Sequence, residues 1–372
     1  MVNDAICKLP FTDIFSSNSG KYRLCCHTSE VKEFTVDWNM QDHDPFDFFY
    51  SDDMEKIRNK MLNGEFIKDC SVCYKKDAAG HYSDRKKHND KWKKTENVLQ
   101  RSMVIKLTLW GNYCNLSCAM CHPVHSSTRT TELKKMNERK DEWSWKTKKS
   151  KISNKRFLEI RDDIITNIDI VESITISTDG EPLLNPKMYE FLSKVPDLDA
   201  KEIYLTITTN LSEVKLNQYS LQEIASKFPL LKLRVSADHI YEKYNWIRYP
   251  GNFNNLCSNL ERFSDLVTVV APAVSILNID ELLEIKNFYN SMGFTCLRPG
   301  SYSVVSSPKK MSANGHSNIQ GLIKKYSEYE WASPIVYELK KQPIDEDKKR
   351  LIKYLDTLSL KRGDWRKLWN DI

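Results

Sequence analysis

The chain has 372 residues, 40% hydrophobic and 11% aromatic, enough for one large α/β domain with a smaller companion and a sizeable core. No apolar run approaches the ~20 residues that span a bilayer, and the start Met1-Val-Asn-Asp-Ala-Ile-Cys-Lys lacks the basic and apolar regions of an export signal, so a cytoplasmic protein without membrane contact is expected. Ten cysteines in such a chain read as metal ligands in a reducing compartment rather than as disulfides, and the formal charge of +6 points only weakly to anionic partners.

In chain order, the first hundred residues combine short strand-like pieces with charged helical segments. The turn signal Asn18-Ser-Gly20 between Phe11–Phe15 and Tyr22–Cys25 predicts a hairpin that brings Cys7 and Cys25 towards one end. Asp69-Cys70-Ser-Val-Cys73 adds a C-x2-C knuckle, so Cys7, Cys25, Cys70 and Cys73 make a closed four-thiolate set. Successive strand residues face opposite sides, which leaves Cys25 and its neighbour Cys26 as alternatives, with the Gly20 spacing favouring Cys25. The basic runs Arg85–His88, Lys91–Lys94 and Lys146–Lys149 read as solvated helix faces. Contact with nucleic-acid phosphates is their alternative reading, and no base-reading motif accompanies them.

From Val104 onward strands and helices alternate. Strands are expected at Val104–Leu109, Ser173–Ser177, Glu202–Thr208, Lys232–Ser236, Val267–Ile276 and Phe294–Leu297. Amphipathic helices are expected at Asn154–Ile168, Lys187–Lys194, Leu216–Lys227, Phe253–Phe263 and Ile279–Ser291. Parallel strands need crossovers, so this order predicts a parallel sheet wrapped by helices, with its active site at the carboxyl ends of the strands. Cys257 and Cys296 read as buried packing residues, and the charged stretch from Ser301 as a helical extension without legible chemistry. The expected division is 1–100, 101–300 and 301–372.

The segment Cys114-Asn-Leu-Ser-Cys118-Ala-Met-Cys121 follows the first of these strands. Three thiolates on one tight loop can each hold an iron of a cubane, leaving the fourth iron open; a zinc site completed by His122, His125 or a distant thiol is the alternative. Polar residues follow the next three strands: Thr178-Asp-Gly180-Glu181-Pro182, Thr208-Thr-Asn210, and Arg234-Val-Ser236-Ala-Asp238 with Arg248 just beyond. A carboxylate suits an ammonium group, and the planar fork of Arg suits a carboxylate.

The C-x3-C-x2-C spacing after a first strand, with Met120 before the last Cys, resembles the signature of the radical S-adenosylmethionine (radical SAM) enzymes. The resemblance implies a partial (β/α)6 barrel in which Cys114, Cys118 and Cys121 hold a 4Fe–4S cluster that cleaves SAM to a 5'-deoxyadenosyl radical. It implies SAM contacts at Gly180 and Glu181 (with Asp179 where the family has its first Gly), at Asn210 (with Leu211 where a Gly is usual), at Ser236 and at Arg248. The pattern C-x12-G-x4-C with the later C-x2-C is similar to the twitch and SPASM modules, which implies an auxiliary 4Fe–4S cluster on Cys7, Cys25, Cys70 and Cys73 in a small N-terminal α+β domain. A flavodoxin- or ferredoxin-type reductant is implied, along with a substrate among peptide side chains, sugars or other small molecules. The rival is a zinc-binding, nucleic-acid-associated module without catalysis. No residue is assigned as the catalytic acid or base.

Overall fold

The computed structural model describes residues 4–17, 19–28, 31–78, 80, 82–93, 102–109, 111–136, 152–177, 180–298, 302–305, 311–341 and 348–369. Asn18 of the hairpin signal, Ala79, His81, Trp110, the run Lys146–Lys149 and Asp179 lie outside the described residues.

Seven strands form the main sheet: β1 (Asp13–Ser16), β2 (Tyr22–Arg23), β3 (Met103–Lys106), β4 (Val171–Ile176), β5 (Tyr204–Thr209), β6 (Lys232–Val235) and β7 (Val267–Val270). Their order is β2-β1-β3-β4-β5-β6-β7, and every neighbouring pair is parallel except β1 with β2. One side chain in two is buried: Ile174 and Ile176 on β4, Leu205 and Ile207 on β5, Leu233 and Val235 on β6. The helices around the sheet cover this apolar set, as a wrapped parallel sheet requires.

The helices that matter below are α1 (Asp52–Leu62), α2 (Ser71–Ala78), α3 (Asp84–Lys93), α4 (Ser127–Lys135), α5 (Asn154–Thr166), α6 (Pro186–Lys194), α7 (Leu221–Lys227), α8 (Tyr241–Ile247), α9 (Phe253–Arg262), α10 (Leu282–Ser291) and α11 (Lys348–Arg362). Their starts are written in local chemistry. Ser153 and Asn252 accept from the backbone N–H groups of Arg156 and Asn255, and Ser220 with Glu223 forms a reciprocal capping box. No helix among the described residues is long and apolar enough to cross a membrane.

Several expectations need correction. The helix expected from Leu216 starts only at Leu221, because the Ser220 box fixes its first turn; Lys215–Leu216 and Tyr219–Ser220 instead form a two-stranded ribbon around Asn217, which has φ +52°. The strand expected over Val267–Ile276 stops at Val270, just before Pro272, which has no N–H to give a ladder. Ala273–Val274 pairs with Ser303–Val304 in a separate ribbon. The sixth strand, Phe294–Leu297, shrinks to one bridge between Val270 and Cys296, and Leu297 turns away with φ +54°. Cys296 is buried and Cys257 half-buried against the same core.

The N-terminal hairpin lies on the main sheet: β1 pairs with β3 through Asp13, Ile14 and Phe15 opposite Val104, Ile105 and Lys106. One apolar core accordingly runs from Ile14 and Phe48 through the sheet to Tyr289. A second apolar cluster joins Ala119 and Met120 of the three-cysteine loop to Trp246, Leu277, Tyr354, Leu355, Leu358, Trp365 and Trp369. The C-terminal stretch includes α11, which packs against that loop.

Candidate active site

The loop that carries Cys114, Cys118 and Cys121 leaves the end of β3 and is held on three sides. Ser117 N–H donates to Tyr249 O at 2.6 Å and Ala119 N–H to Ile247 O at 2.8 Å, so the loop lies antiparallel-like along the segment after α8. Ser127 N–H donates to Asn112 O, and the Thr128 hydroxyl to Cys114 O, which ties the loop to the first turn of α4. Met120 and Ala119 are buried in the second apolar cluster. Burial first, then Cys118, lifts Cys114 to about 12, and Cys118 and Cys114 add to the burial that raises Cys121. Burial also pushes Cys118 and Cys121 up. Three guanidinium groups oppose this trend, since Arg129, Arg248 and Arg362 all favour the thiolate of Cys118.

The turn after β4 docks directly on this loop. Gly180 N–H donates to His125 O at 2.8 Å and Glu181 N–H to Tyr113 O at 2.7 Å. Gly180 has φ +69°, and a Cβ built there would stand 2.3 Å from Tyr113 O and 2.9 Å from Asn112 C. Only glycine fits, both for its dihedral and for the approach of a second backbone.

Glu181 is 2% exposed, and its carboxylate is engaged within the protein. Oε1 accepts from the Thr209 hydroxyl (2.6 Å) and Leu183 N–H (3.2 Å), and Oε2 from Asn210 N–H (2.7 Å). Burial pushes its pKa up to about 7 against these three donors. Glu181 thus fastens the end of β4 to the end of β5, with its main chain on the cysteine loop.

Asn210 continues the tie. Its Oδ1 accepts from Ser212 N–H and the Ser212 hydroxyl, and its Nδ2 donates to Asn115 Oδ1 at 3.1 Å and faces Cys114 Sγ at 4.0 Å. Leu211 takes φ +51°, the left-handed conformation for which a glycine would be natural. Ser236 stands half-buried at the end of β6, with its N–H on Thr209 O.

Arg248 caps α8, 7% exposed, and pairs with the fully buried Asp238: Nη2 donates to Oδ1 at 3.0 Å and Nε stands 2.8 Å from Oδ2. Burial opposes its charge, yet Asp238 and the nearby Cys118 hold its pKa above the usual value. The structure therefore gathers Gly180, Glu181, Asn210 and Arg248 around the cysteine loop, with Ser236 one strand further on. Asn115, Ser212, Arg129, Glu132 and Arg362 join the site from outside the motifs marked in the sequence. Asn115 and Ser212 had a local signal, a polar residue beside each motif; Arg362 had none, because its partners lie 115 to 245 positions away.

The second thiol set also assembles. Cys7, Cys25, Cys70 and Cys73 lie within electrostatic reach of one another, and burial pushes Cys7 up to about 12 and raises Cys70 and Cys73. Cys25 is drawn down to about 6, first by a hydrogen bond from Cys26. Cys26 itself is exposed, and beyond Cys25 the groups acting on it are Asp84 and Lys106. The segment around Cys7 is held by α2 and α3: the Tyr74 hydroxyl donates to Ala5 O, and Arg85 Nη1 and Asn89 Nδ2 to Ile6 O. Arg85 is 6% exposed and paired with Asp77 at 2.7 Å, so the basic run Arg85–His88 is in part an internal brace rather than a solvated face.

Among the described residues, no three His, Cys, Asp or Glu side chains converge as a single metal ion requires. A cubane instead offers a separate iron to each thiolate, so its ligands stand around a cluster-sized volume. The thiol-only donor set and the guanidinium groups around it fit such an anionic cluster.

Residues 108–289 match the family model of the Radical SAM superfamily. No curated protein shows significant similarity to the chain. Among solved structures, anSMEcpe with bound AdoMet is similar over 60% of this chain and 60% of that one, at 16% identity and a TM-score of 0.40. SuiB of Streptococcus suis bound to S-adenosylmethionine is similar over 75% of this chain and 54% of its own, at 17% identity and a TM-score of 0.40. The chain thus spans less than two thirds of the length of either. The matched residues span the strands β4 to β7 of the mostly parallel sheet together with the three-cysteine loop.

Proposed function

We propose that this protein is a radical SAM enzyme in which Cys114, Cys118 and Cys121 hold a SAM-binding 4Fe–4S cluster. The observation that carries the reading is the docking of the Gly180–Glu181 turn onto the three-cysteine loop, with the Arg248 guanidinium in reach of all three thiols. Cys114, Cys118 and Cys121 would hold such a cluster, and when bound it would supply the one-electron reduction by which SAM is cleaved to methionine and a 5'-deoxyadenosyl radical able to take hydrogen from a substrate carbon.

The chain's own residues hold, orient and exclude. The Gly180 turn brings a second backbone against the loop with no side chain between them. Glu181 fixes the geometry of two strand ends through three hydrogen bonds, and its main chain on Tyr113 leaves a rigid edge beside the thiols for the SAM amino group. Arg248, braced by Asp238, presents positive charge suited to the SAM carboxylate. Asn210 and Ser236 offer polar contacts at adjacent strand ends. Burial of the loop under the second apolar cluster keeps water from the reactive centre.

Cys7, Cys25, Cys70 and Cys73 are proposed to hold an auxiliary 4Fe–4S cluster. Four thiolates close its coordination, which suits electron transfer rather than direct binding of substrate. A flavodoxin- or ferredoxin-type protein is the proposed reductant.

The test is direct. Anaerobically reconstituted protein with dithionite and SAM should form 5'-deoxyadenosine, and the triple Cys114/Cys118/Cys121→Ala protein should form none. Undiminished cleavage by the triple variant would overturn the assignment, and a colourless, zinc-loaded protein would favour the non-catalytic reading.

A further inference from the structure

The polypeptide end reaches back across the molecule to the three-cysteine loop. Arg362, the last residue of α11, inserts a fully buried side chain between that loop and the C-terminal end of α8. Its Nη2 donates to Ser117 O at 2.6 Å and to both Glu132 oxygens at 3.0 and 2.8 Å; its Nη1 donates to Trp246 O at 3.1 Å and Ile247 O at 3.4 Å. Glu132 also takes the Ser117 hydroxyl and Arg129 Nη1. About two turns of helix earlier, the Tyr354 hydroxyl donates to Ala119 O at 2.6 Å, an oxygen that Arg129 Nη2 shares at 3.3 Å. Beyond the helix, Trp369 Nε1 closes on Leu277 O at 2.9 Å, and Trp246 Nε1 donates to Gly363 O at 2.8 Å.

These contacts have a common target. Ser117 and Ala119 lie between the cysteines, and Trp246 and Ile247 immediately precede Arg248. We infer that the C-terminal segment 348–369 is a clasp on the cluster-binding loop, and that Arg362 is a positioning residue that fixes the loop against the Arg248 segment and tunes the cluster's electron affinity. The inference rests on the cluster reading above and names part of the machinery that no cysteine or strand-end motif reveals. The geometry gives the positioning role. The electrostatic role follows from charge: with Arg129 and Arg248, the buried Arg362 guanidinium is one of three cations that face the loop, against the carboxyl groups of Glu132, Asp238 and Glu181, so its removal shifts that balance towards negative charge. Fixed cations beside a cluster stabilise its reduced form, and net charge and hydrogen bonding are among the levers on its potential.

The test uses the full-length protein, reconstituted anaerobically, with Arg362→Gln, Arg362→Lys and Tyr354→Phe alongside the parent. The site is identified by the reduced-cluster EPR signal that changes on SAM addition, and circular dichroism monitors folding. Arg362→Gln is expected to move the potential of that signal to a more negative value, and Arg362→Lys to restore part of the shift. Loss of iron from this site to a chelator should be on the order of tenfold faster in Arg362→Gln, because a buried ion pair loses one partner. Tyr354→Phe should accelerate iron loss without moving the potential. A folded Arg362→Gln protein with the parent's potential and the parent's iron retention overturns the inference. If Arg362→Gln does not fold, unchanged iron retention in Tyr354→Phe overturns it instead. A parent with no SAM-responsive signal sinks the cluster reading itself, a different outcome from a responsive parent with an indifferent Arg362.

Discussion

Gly180→Ala is the sharpest perturbation of the site that leaves every proposed ligand in place. Two costs add. The residue sits at φ +69°, where an L side chain is strained by roughly 1–2 kcal/mol. The new Cβ would also lie 2.3 Å from Tyr113 O, a backbone atom that cannot rotate aside, so the turn and the cysteine loop must part. Parting them breaks Gly180 N–H to His125 O and Glu181 N–H to Tyr113 O, each worth about 1 kcal/mol. The expected destabilisation is about 3–4 kcal/mol. Gly64→Ala provides the control, since Gly64 has φ +80° with nothing within 4 Å of its virtual Cβ, and it should lose only the strain, about 1–2 kcal/mol. Urea unfolding of both variants without metal measures the difference, and iron content after reconstitution reports the site. If Gly180→Ala is no less stable than Gly64→Ala and takes up iron like the parent, the close approach of the two loops is not what organises the site.

Three further outcomes follow from the geometry. In the triple Cys114/Cys118/Cys121→Ala background, Cys25→Ala should lower the remaining iron while Cys26→Ala leaves it unchanged; equal losses would break the grouping of Cys25 with Cys7, Cys70 and Cys73. In the same background, Arg85→Gln should also lower the iron, because it leaves Asp77 with only Lys86 at 3.7 Å and removes one of the two donors that hold Ile6 O beside Cys7; full iron retention would show that the brace is dispensable. Asp163, on α5, has its pKa raised to about 6 by burial, against a donor from Phe46 N–H. Its folded pKa lies above the unfolded value, so the stability it contributes is complete below pH ~3.8 and is lost as pH rises through ~6. Asp163→Asn should therefore flatten that slope and stabilise the protein at pH 7.5 by about 1 kcal/mol, a figure discounted because the group is half exposed. A variant less stable than the parent at pH 7.5 would refute it.

The parts of the fold legible in the sequence are those encoded locally. Alternation located the strands that became β3 to β6, since an apolar residue at every second place needs no knowledge of its partner. The motifs at the strand ends were readable for the same reason, because each is a short string next to a strand. The failures are places where a local pattern met a competing local rule. The Ser220–Glu223 box overrode the helical periodicity from Leu216, and Pro272 cut the strand from Val267. What sequence could not supply was pairing at a distance. Nothing in Asp13-Ile-Phe announces that it lies beside Val104, and nothing in Arg362 announces Ser117 and Glu132. Glu181 shows the subtler gap: a carboxylate at a strand end is legible in the sequence, but its three internal donors, Thr209, Asn210 and Leu183, appear only when β4 and β5 lie side by side.

The pairing of β1 with β3 has a consequence for how the two thiol sets communicate. Cys25 follows β2, and Cys114 follows β3, and only β1 lies between those strands. Because β2 runs antiparallel to β1, Cys25 leaves the sheet towards the start of β1, whereas Cys114 lies beyond the end of β3, so the two sets stand at opposite ends of strands joined by a hydrogen-bond ladder rather than by a linker. Swinging one set against the other would require stripping Asp13, Ile14 and Phe15 from Val104, Ile105 and Lys106. If the two sets hold the clusters proposed for them, electron transfer between them would cross a gap fixed by strand pairing, with no hinge to vary it.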